Sequence, residues 1–270
     1  VSAAYVYIKA PMDTIADAVL TYKGAAVALW LGLLFALERL RPAAPRPDGP
    51  LFGWRRLGRN GSLFAVNIGL SLLVVLPVSV WATGVTDWRP AAWSGGWVLL
   101  VDIVLLDLWI YWWHRANHTL PVLWRFHEVH HLDRFLDTTS AVRFHFGEVL
   151  LSALARAAVI VALDIALVAV LVFETLVLIS ALFHHSNVRL PAGIERALSR
   201  AIITPSIHWV HHHAVRADTD SNYGTIFSFW DRLFGSRSRT QRTPGMPIGV
   251  ERRPEKSLGA LLLRPFRAGI

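Results

Sequence analysis

The chain has 270 residues, 54% hydrophobic and only 17% charged, with a mean hydropathy of +0.42. A soluble domain usually carries about 25% charged residues, so the bilayer is the expected solvent, and the net charge of +8, almost all from arginine, reads as cytoplasmic loops and headgroup contact rather than nucleic-acid binding. The absence of cysteine excludes disulfides, thiolate-ligated haem, cysteine-held iron–sulfur clusters and cysteine zinc sites.

Four apolar zones follow one another along the chain. Ile15 to Leu37 reads as a first span, interrupted by Asp17 and Lys23 near its outer end. Ser62 to Gly84 is a second, where Pro77 predicts a kink. Gly96 to Trp113 is a third, ending in tryptophans as an interfacial belt does. Between the first two lie Arg39, Arg41, Arg46, Arg55, Arg56 and Arg59, whereas the next loop holds only Arg89. The positive-inside rule places the arginine-rich loop in the cytoplasm, so the third span delivers His114 to that face.

The fourth zone, Val149 to Phe183, is too long for one span and slightly short for two at about 20 residues each. A single crossing would strand His184 and His185 on the far side, so a short helical hairpin is expected here. Asp164 and Glu174 within it are costly in lipid and should face protein or water. From Asn187 onward the chain is polar enough for a cytoplasmic cap. The expected fold is therefore all-α: an integral membrane helical protein with about three spans, a short helical hairpin and a cytosolic histidine-rich cap.

All twelve histidines fall between His114 and His213. His114 and His118 are four apart, which puts them on one helical face about 6 Å apart along the axis. Pro121 then breaks the helix. His127, His130 and His131 repeat a spacing of three and four, and His208, His211 and His212 repeat it again. Eight imidazoles so placed would repel one another if charged, and neutral converging rings call for metal. Neutral imidazole suits zinc, copper, iron and nickel. A catalytic zinc takes about three protein ligands and leaves five rings idle, so two adjacent irons use the number best.

The ordered segments "DLWIYWWHRANH", "HEVHH", "RFHFGE", "FHHSN", "TPSIHWVHH", "NYG" and "WDRLFGS" closely resemble the fatty acid hydroxylase and sterol desaturase superfamily over roughly residues 100 to 236. The resemblance implies a membrane-bound, non-haem di-iron oxygenase with His114, His118, His127, His130, His131, His208, His211 and His212 as metal ligands. His145 and His185 stand where the family often has further histidines and are second-tier candidates, although Phe146 replaces the family's usual proline. The roles of His184 and His213 stay open between ligation and support. Residues 1–95 then form N-terminal membrane helices and the arginine-rich loop, 96–240 the catalytic unit, and 241–270 a basic tail.

Asp107 lies two helical turns before His114 and is read either as orienting an imidazole or as a packing carboxylate. Arg143 and Glu148 flank His145 and suggest a structural pair. Asn222-Tyr223-Gly224 and Trp230-Asp231 read as architecture. The implied reaction is hydroxylation or desaturation of a bilayer lipid (fatty acyl, sterol-like or related) with dioxygen. With no cysteine, and no histidine outside 114–213, the electrons are expected from a separate donor protein. Two rivals remain: a membrane zinc protease, since "HEVHH" satisfies H-E-x-x-H with Glu128 as base, and a metal transporter.

Overall fold

The computed structural model describes residues 3–47, 53–90, 92–93 and 95–267, with side chains described from Thr14 onward. Twelve α-helices account for most of it, and among the described residues the only β pairing is isolated bridges. The long helices are α1 (Ala3–Leu40), α2 (Trp54–Leu70) continuing into α3 (Leu76–Ala82), α4 (Gly96–Thr119), α6 (Phe146–Leu163) and α7 (Leu167–His185). The shorter ones are α5 (Pro121–His131), α8 (Ala192–Leu198), α9 (Pro205–His211), α10 (Arg216–Thr219), α11 (Phe229–Leu233) and α12 (Leu258–Leu263).

Five stretches are long and apolar enough to cross a membrane: Thr14–Leu40, Trp54–Ala82, Gly96–Thr119, Phe146–Leu163 and Leu167–His185. This corrects the expectation of about three spans plus a short hairpin. The hairpin arms are 18 and 19 residues long, about 27–28 Å each at 1.5 Å per residue, close to a bilayer core of about 30 Å. The apolar zone looked too short because each arm continues helically into polar residues, Gly147-Glu148 at one end and His184-His185 at the other. Only Asp164, Ile165 and Ala166 separate the arms.

That turn is built around Asp164, which adopts a left-handed conformation at φ 51°. Its carboxylate accepts from the backbone N–H groups of Trp88 and Arg89, each at 2.9 Å, and from the Thr86 hydroxyl at 3.1 Å. The expensive charge is thus spent on holding the loop between α3 and α4. Glu174, the other acid of the zone, pairs with Arg156 at 2.5 Å and with Lys23 at 3.5 Å, joining α6, α7 and α1. Pro77 acts one turn before its own position. A π-turn occupies Ser71–Val75, with the Leu76 N–H reaching back to the Ser71 carbonyl. The proline's missing donor and its ring relax the local register, as such turns commonly do.

Helix α7 is central and packs against α1, α4 and α9. Its N-terminal half joins a core of Leu106, Ala157, Ile160, Ile165, Val170 and Phe173. Its C-terminal half meets Leu34 of α1, and the Trp30 indole donates to the Ile179 carbonyl at 3.0 Å. Outward, Leu29, Leu72, Leu73, Trp81 and Leu100 stand exposed. Such a belt would oppose solubility in water but matches acyl chains.

Beneath the cap lies a buried ionic network. Arg56, 1% exposed, binds Asp133 through two nitrogens at 2.7 and 2.8 Å, Asp137 at 2.6 Å and the Ser140 hydroxyl at 2.8 Å. Arg143 reaches Asn60, the Val129 carbonyl and Glu255. Two arginines of the expected loop, Arg56 and Arg59, are therefore buried on α2. They tie the second span to the segment after α5 and to the C-terminal region.

Candidate metal centre

The nine rings that converge come from four helices, and two helices split their rings between two clusters. His114, His118, His127, His131 and His211 form one cluster; His130, His185, His208 and His212 form the other. Within each, one ligating atom per residue lies within 4.8 Å of all the others. Helix α4 gives His114 and His118, four apart, to the first. Helix α5 gives His127 and His131, again four apart, to the first and turns His130 to the second. Helix α9, with its C-cap residue His212, does the reverse, sending His211 to the first while His208 and His212 serve the second. The i, i+4 pairs share a face and the odd residue is rotated away from it, so three-residue boxes bridge two sites. Across the divide the His131 and His212 rings stack with centroids 4.2 Å apart.

Local signals place these helices. Leu120 is extended (φ −96°, ψ 116°) before Pro121, which breaks α4 and opens α5 at its first turn, where a missing N–H costs nothing. Pro205 does the same for α9 after an extended Thr204.

Hydrogen bonds fix which ring nitrogen faces inward. His130 donates through Nδ1 to the Arg143 carbonyl at 3.2 Å, and His185 through Nδ1 to the Ala181 carbonyl at 2.8 Å. Their Nε2 atoms then carry only lone pairs, yet face each other at 3.1 Å. In the other cluster His114 donates through Nδ1 to the Tyr223 carbonyl at 2.9 Å, and His211 to the Ser221 carbonyl at 2.7 Å. Burial, reinforced by neighbouring histidines, pushes His130, His131, His208, His211 and His212 well below the ordinary value of 6.5, so these rings stay neutral near pH 7. Both nitrogens of His118, Nδ1 of His131, His208 and His212, and Nε2 of His211 have no hydrogen-bond partner. Facing lone pairs and orphaned nitrogens fit a cation between them, and neutral imidazoles are suited donors.

The eight expected ligands are thus all gathered in the two clusters, together with His185. His145 lies outside both. It caps α6, accepting from the Gly147 N–H at 2.9 Å, while Nε2 contacts the Leu262 carbonyl at 3.0 Å. His184 is buried with its ring 4.0 Å from that of His208, outside the clusters. His213 pairs with Asp218 at 2.8 Å.

Asp107 binds no imidazole among the described residues. It accepts from the Trp230 indole at 2.9 Å and from the backbone of Ile226 and Phe227. Asp231 in turn holds the Tyr223 and Gly224 N–H groups at 2.7 and 3.0 Å. The "NYG" and "WDRLFGS" segments therefore serve to present the Tyr223 carbonyl to His114.

Arg143 and Glu148 do not pair with each other. Glu148 instead accepts from Nδ1 of His127 at 2.7 Å. Reading along the sequence missed this contact. The available signal was that Glu148 is the only acid of α6 and needs a partner. Glu128, the base required by a zinc protease, is turned to the C-terminal region, with Arg264 at 2.7 Å and Arg253 at 3.2 Å. It is neutralised there, and the flanking His127 and His131 belong to a five-histidine set. The site also lies at helix ends rather than mid-span, unlike most transport sites.

A family model for fatty acid hydroxylases matches residues 99–236, and the chain belongs to that family. It is a membrane oxidoreductase of the histidine-box type. The chain is similar to ornithine lipid hydroxylase OlsE of Rhizobium tropici, 28% identical over 244 residues, covering 87% of this chain and 73% of that protein. It also resembles alkylglycerol monooxygenase of Danio rerio, 29% identical over 144 residues, which is 53% of this chain and 31% of the relative. Lathosterol oxidase of Mus musculus is 30% identical over 147 residues, 52% of this chain and 46% of the relative. No solved structure matches the chain.

Proposed function

We propose that the two clusters hold two iron ions and that the protein hydroxylates the apolar chain of a membrane lipid. The observation that carries this is the pair of Nε2 lone pairs of His130 and His185 at 3.1 Å, a repulsive contact unless a cation lies between them. The ligand set is His114, His118, His127, His131 and His211 for one ion and His130, His185, His208 and His212 for the other. Bound iron would supply dioxygen binding and activation. The chain contributes the rest: helices α4, α5, α7 and α9 fix the rings, and burial keeps bulk water away. His114 alone among the nine is partly exposed, which makes its side of α4 the approach for a lipid carbon.

Hydroxylation is favoured over desaturation because the relative aligned over 87% of this chain is named a lipid hydroxylase and others are named monooxygenases. Each turnover would consume dioxygen, an electron pair and two protons, releasing hydroxylated lipid and water. The chain has no second redox centre of cysteine ligands, so a separate donor protein is part of the proposal. The test is lipid profiling of membranes incubated with iron-loaded protein, donor and dioxygen. Lipid species gaining one oxygen atom are expected. Product formed without dioxygen or donor would overturn the reading, and loss of two hydrogens would replace hydroxylation by desaturation.

The histidine end is proposed to face the cytoplasm, because the segment holding Arg39, Arg41, Arg46, Arg55, Arg56 and Arg59 lies at that end and Arg89 at the other. Cysteines introduced at exposed Arg55 and Arg267 should react from the cytoplasm only, and one at exposed Asp87 from outside only. The native chain contributes no background thiol.

A further inference from the structure

The two clusters differ in their electrostatic surroundings. Among the described residues, the carboxylates within 4.0 Å of a cluster imidazole nitrogen are Glu148 on His127 and Asp220 near His118, both on the five-histidine cluster. The Asp220 contact, at 3.4 Å, is too long for a good hydrogen bond, and Asp220 is already bonded to Arg216 at 2.6 Å. Glu148 is different. Its oxygen sits 2.7 Å from Nδ1 of His127, both groups are buried, and among the described residues no arginine or lysine pairs with it. In the four-histidine cluster the corresponding acceptors, on His130 and His185, are neutral backbone carbonyls.

A carboxylate behind an imidazole does two things a carbonyl does less well. It fixes the Nδ1–H tautomer, and it makes Nε2 a stronger donor by stabilising positive charge drawn onto the ring. Resting on the reading that the clusters hold metal, we propose that Glu148 is a positioning residue that makes the five-histidine cluster the tighter of two unequal metal sites. The Nε2 of His127 lies 3.2 Å from that of His131, so the effect is delivered to the middle of that cluster.

The test uses the purified full chain in lipid nanodiscs, loaded with Co²⁺ and titrated with a chelator, reading metal per chain and cobalt visible absorption. Wild type should release cobalt in two separated steps. His185→Ala should remove the looser step alone, identifying it with the four-histidine cluster. Glu148→Gln keeps an amide oxygen to accept from His127 but lacks the charge. It should weaken the tighter step by about 10–100-fold and shift its absorption, leaving the looser step unmoved. Glu148→Ala should weaken that step further. Because Glu148 also lies in the first turn of α6, unfolding of the metal-free variants is measured alongside. Equal stability of metal-free Glu148→Gln and wild type excludes a merely structural effect. A tighter step unchanged in Glu148→Gln, or both steps shifted together, overturns the proposal about Glu148 alone. Wild type that takes up no cobalt overturns the metal reading of the clusters and this proposal with it.

Discussion

The two ends of the helical bundle are both polar, but they treat their polar atoms differently. At the end carrying the loop before α4, Asp164 accepts three hydrogen bonds from that loop, and Arg89 pairs with Asp102 at 2.8 Å. The charges there serve to close turns. At the histidine end, the rings of His118, His131, His208, His211 and His212 keep nitrogens with no partner although they are buried. An unmade hydrogen bond at a buried polar atom costs roughly 1–3 kcal/mol, so such a cluster persists only where a ligand repays it. Single orphaned atoms occur at the far end too, Arg89 Nε among them, but at the histidine end six such nitrogens converge on two clusters, and that convergence marks a binding place. Directly beside the clusters, the Arg56–Asp133–Asp137 network is hydrogen-bonded as Asp164 is, so the distinction belongs to the groups and not to the side of the molecule.

The contrast can be broken or sharpened by substitution. The largest effect is expected at the cluster rings: His130→Ala or His211→Ala should reduce turnover to background and lower metal content per chain, measured by elemental analysis and by oxygen uptake with donor present. Full activity of either variant would break the assignment.

Next comes the satisfied network. Arg56→Ala leaves Asp137 buried without its counter-ion and Asp133 with only the more distant Arg143 at 3.9 Å, and removing one partner of such a pair costs about 3–5 kcal/mol. The unfolding transition in detergent should fall accordingly, with metal lost only as a consequence of unfolding. The pH dependence has a definite sign. Burial alone would raise the Asp133 carboxyl, but the Arg56 and Arg143 guanidiniums override it and hold it well below the usual carboxylate range. Its contribution to stability is therefore fully present above the unfolded value near 3.8 and is lost as pH falls toward the depressed folded value. Asp133→Asn should flatten that acid limb of the stability profile.

At the far end, Asp164→Ala removes the acceptor for three donors and strains a left-handed residue, which should cost about 1–3 kcal/mol while leaving metal content untouched. Asp164→Asn should be milder, since asparagine tolerates that conformation. The smallest effect is expected for His213→Ala. Its ring serves Asp218 outside the clusters, so stability should fall by about 1 kcal/mol or less and metal content should not change. Loss of a metal in that variant would extend the ligand set.

The histidine boxes were legible because their spacing of three and four is a property of one helix, visible without a partner. The all-α class and the apolar zones were legible for the same reason. The number of spans was not: hydropathy marks where the lipid-like residues stop, while helices α6 and α7 run on into Gly147-Glu148 and His184-His185. His145 belongs to the same motif as true cluster neighbours, yet its backbone position at the start of α6 turns the ring to the Gly147 N–H. Glu148, three residues on, is one helical turn inside and meets His127.

The sequence by itself therefore determined that this protein is a membrane helical bundle with metal-capable histidines on helix faces near one end, because composition and periodicity act within single helices. Only the tertiary structure decided that α5 and α9 share their rings between two clusters, that Glu148 stands behind His127, and that Asp107 holds a loop instead of an imidazole. Those outcomes depend on which faces of separate helices meet, and nothing in the spacing along one chain segment encodes the angle at which another segment arrives.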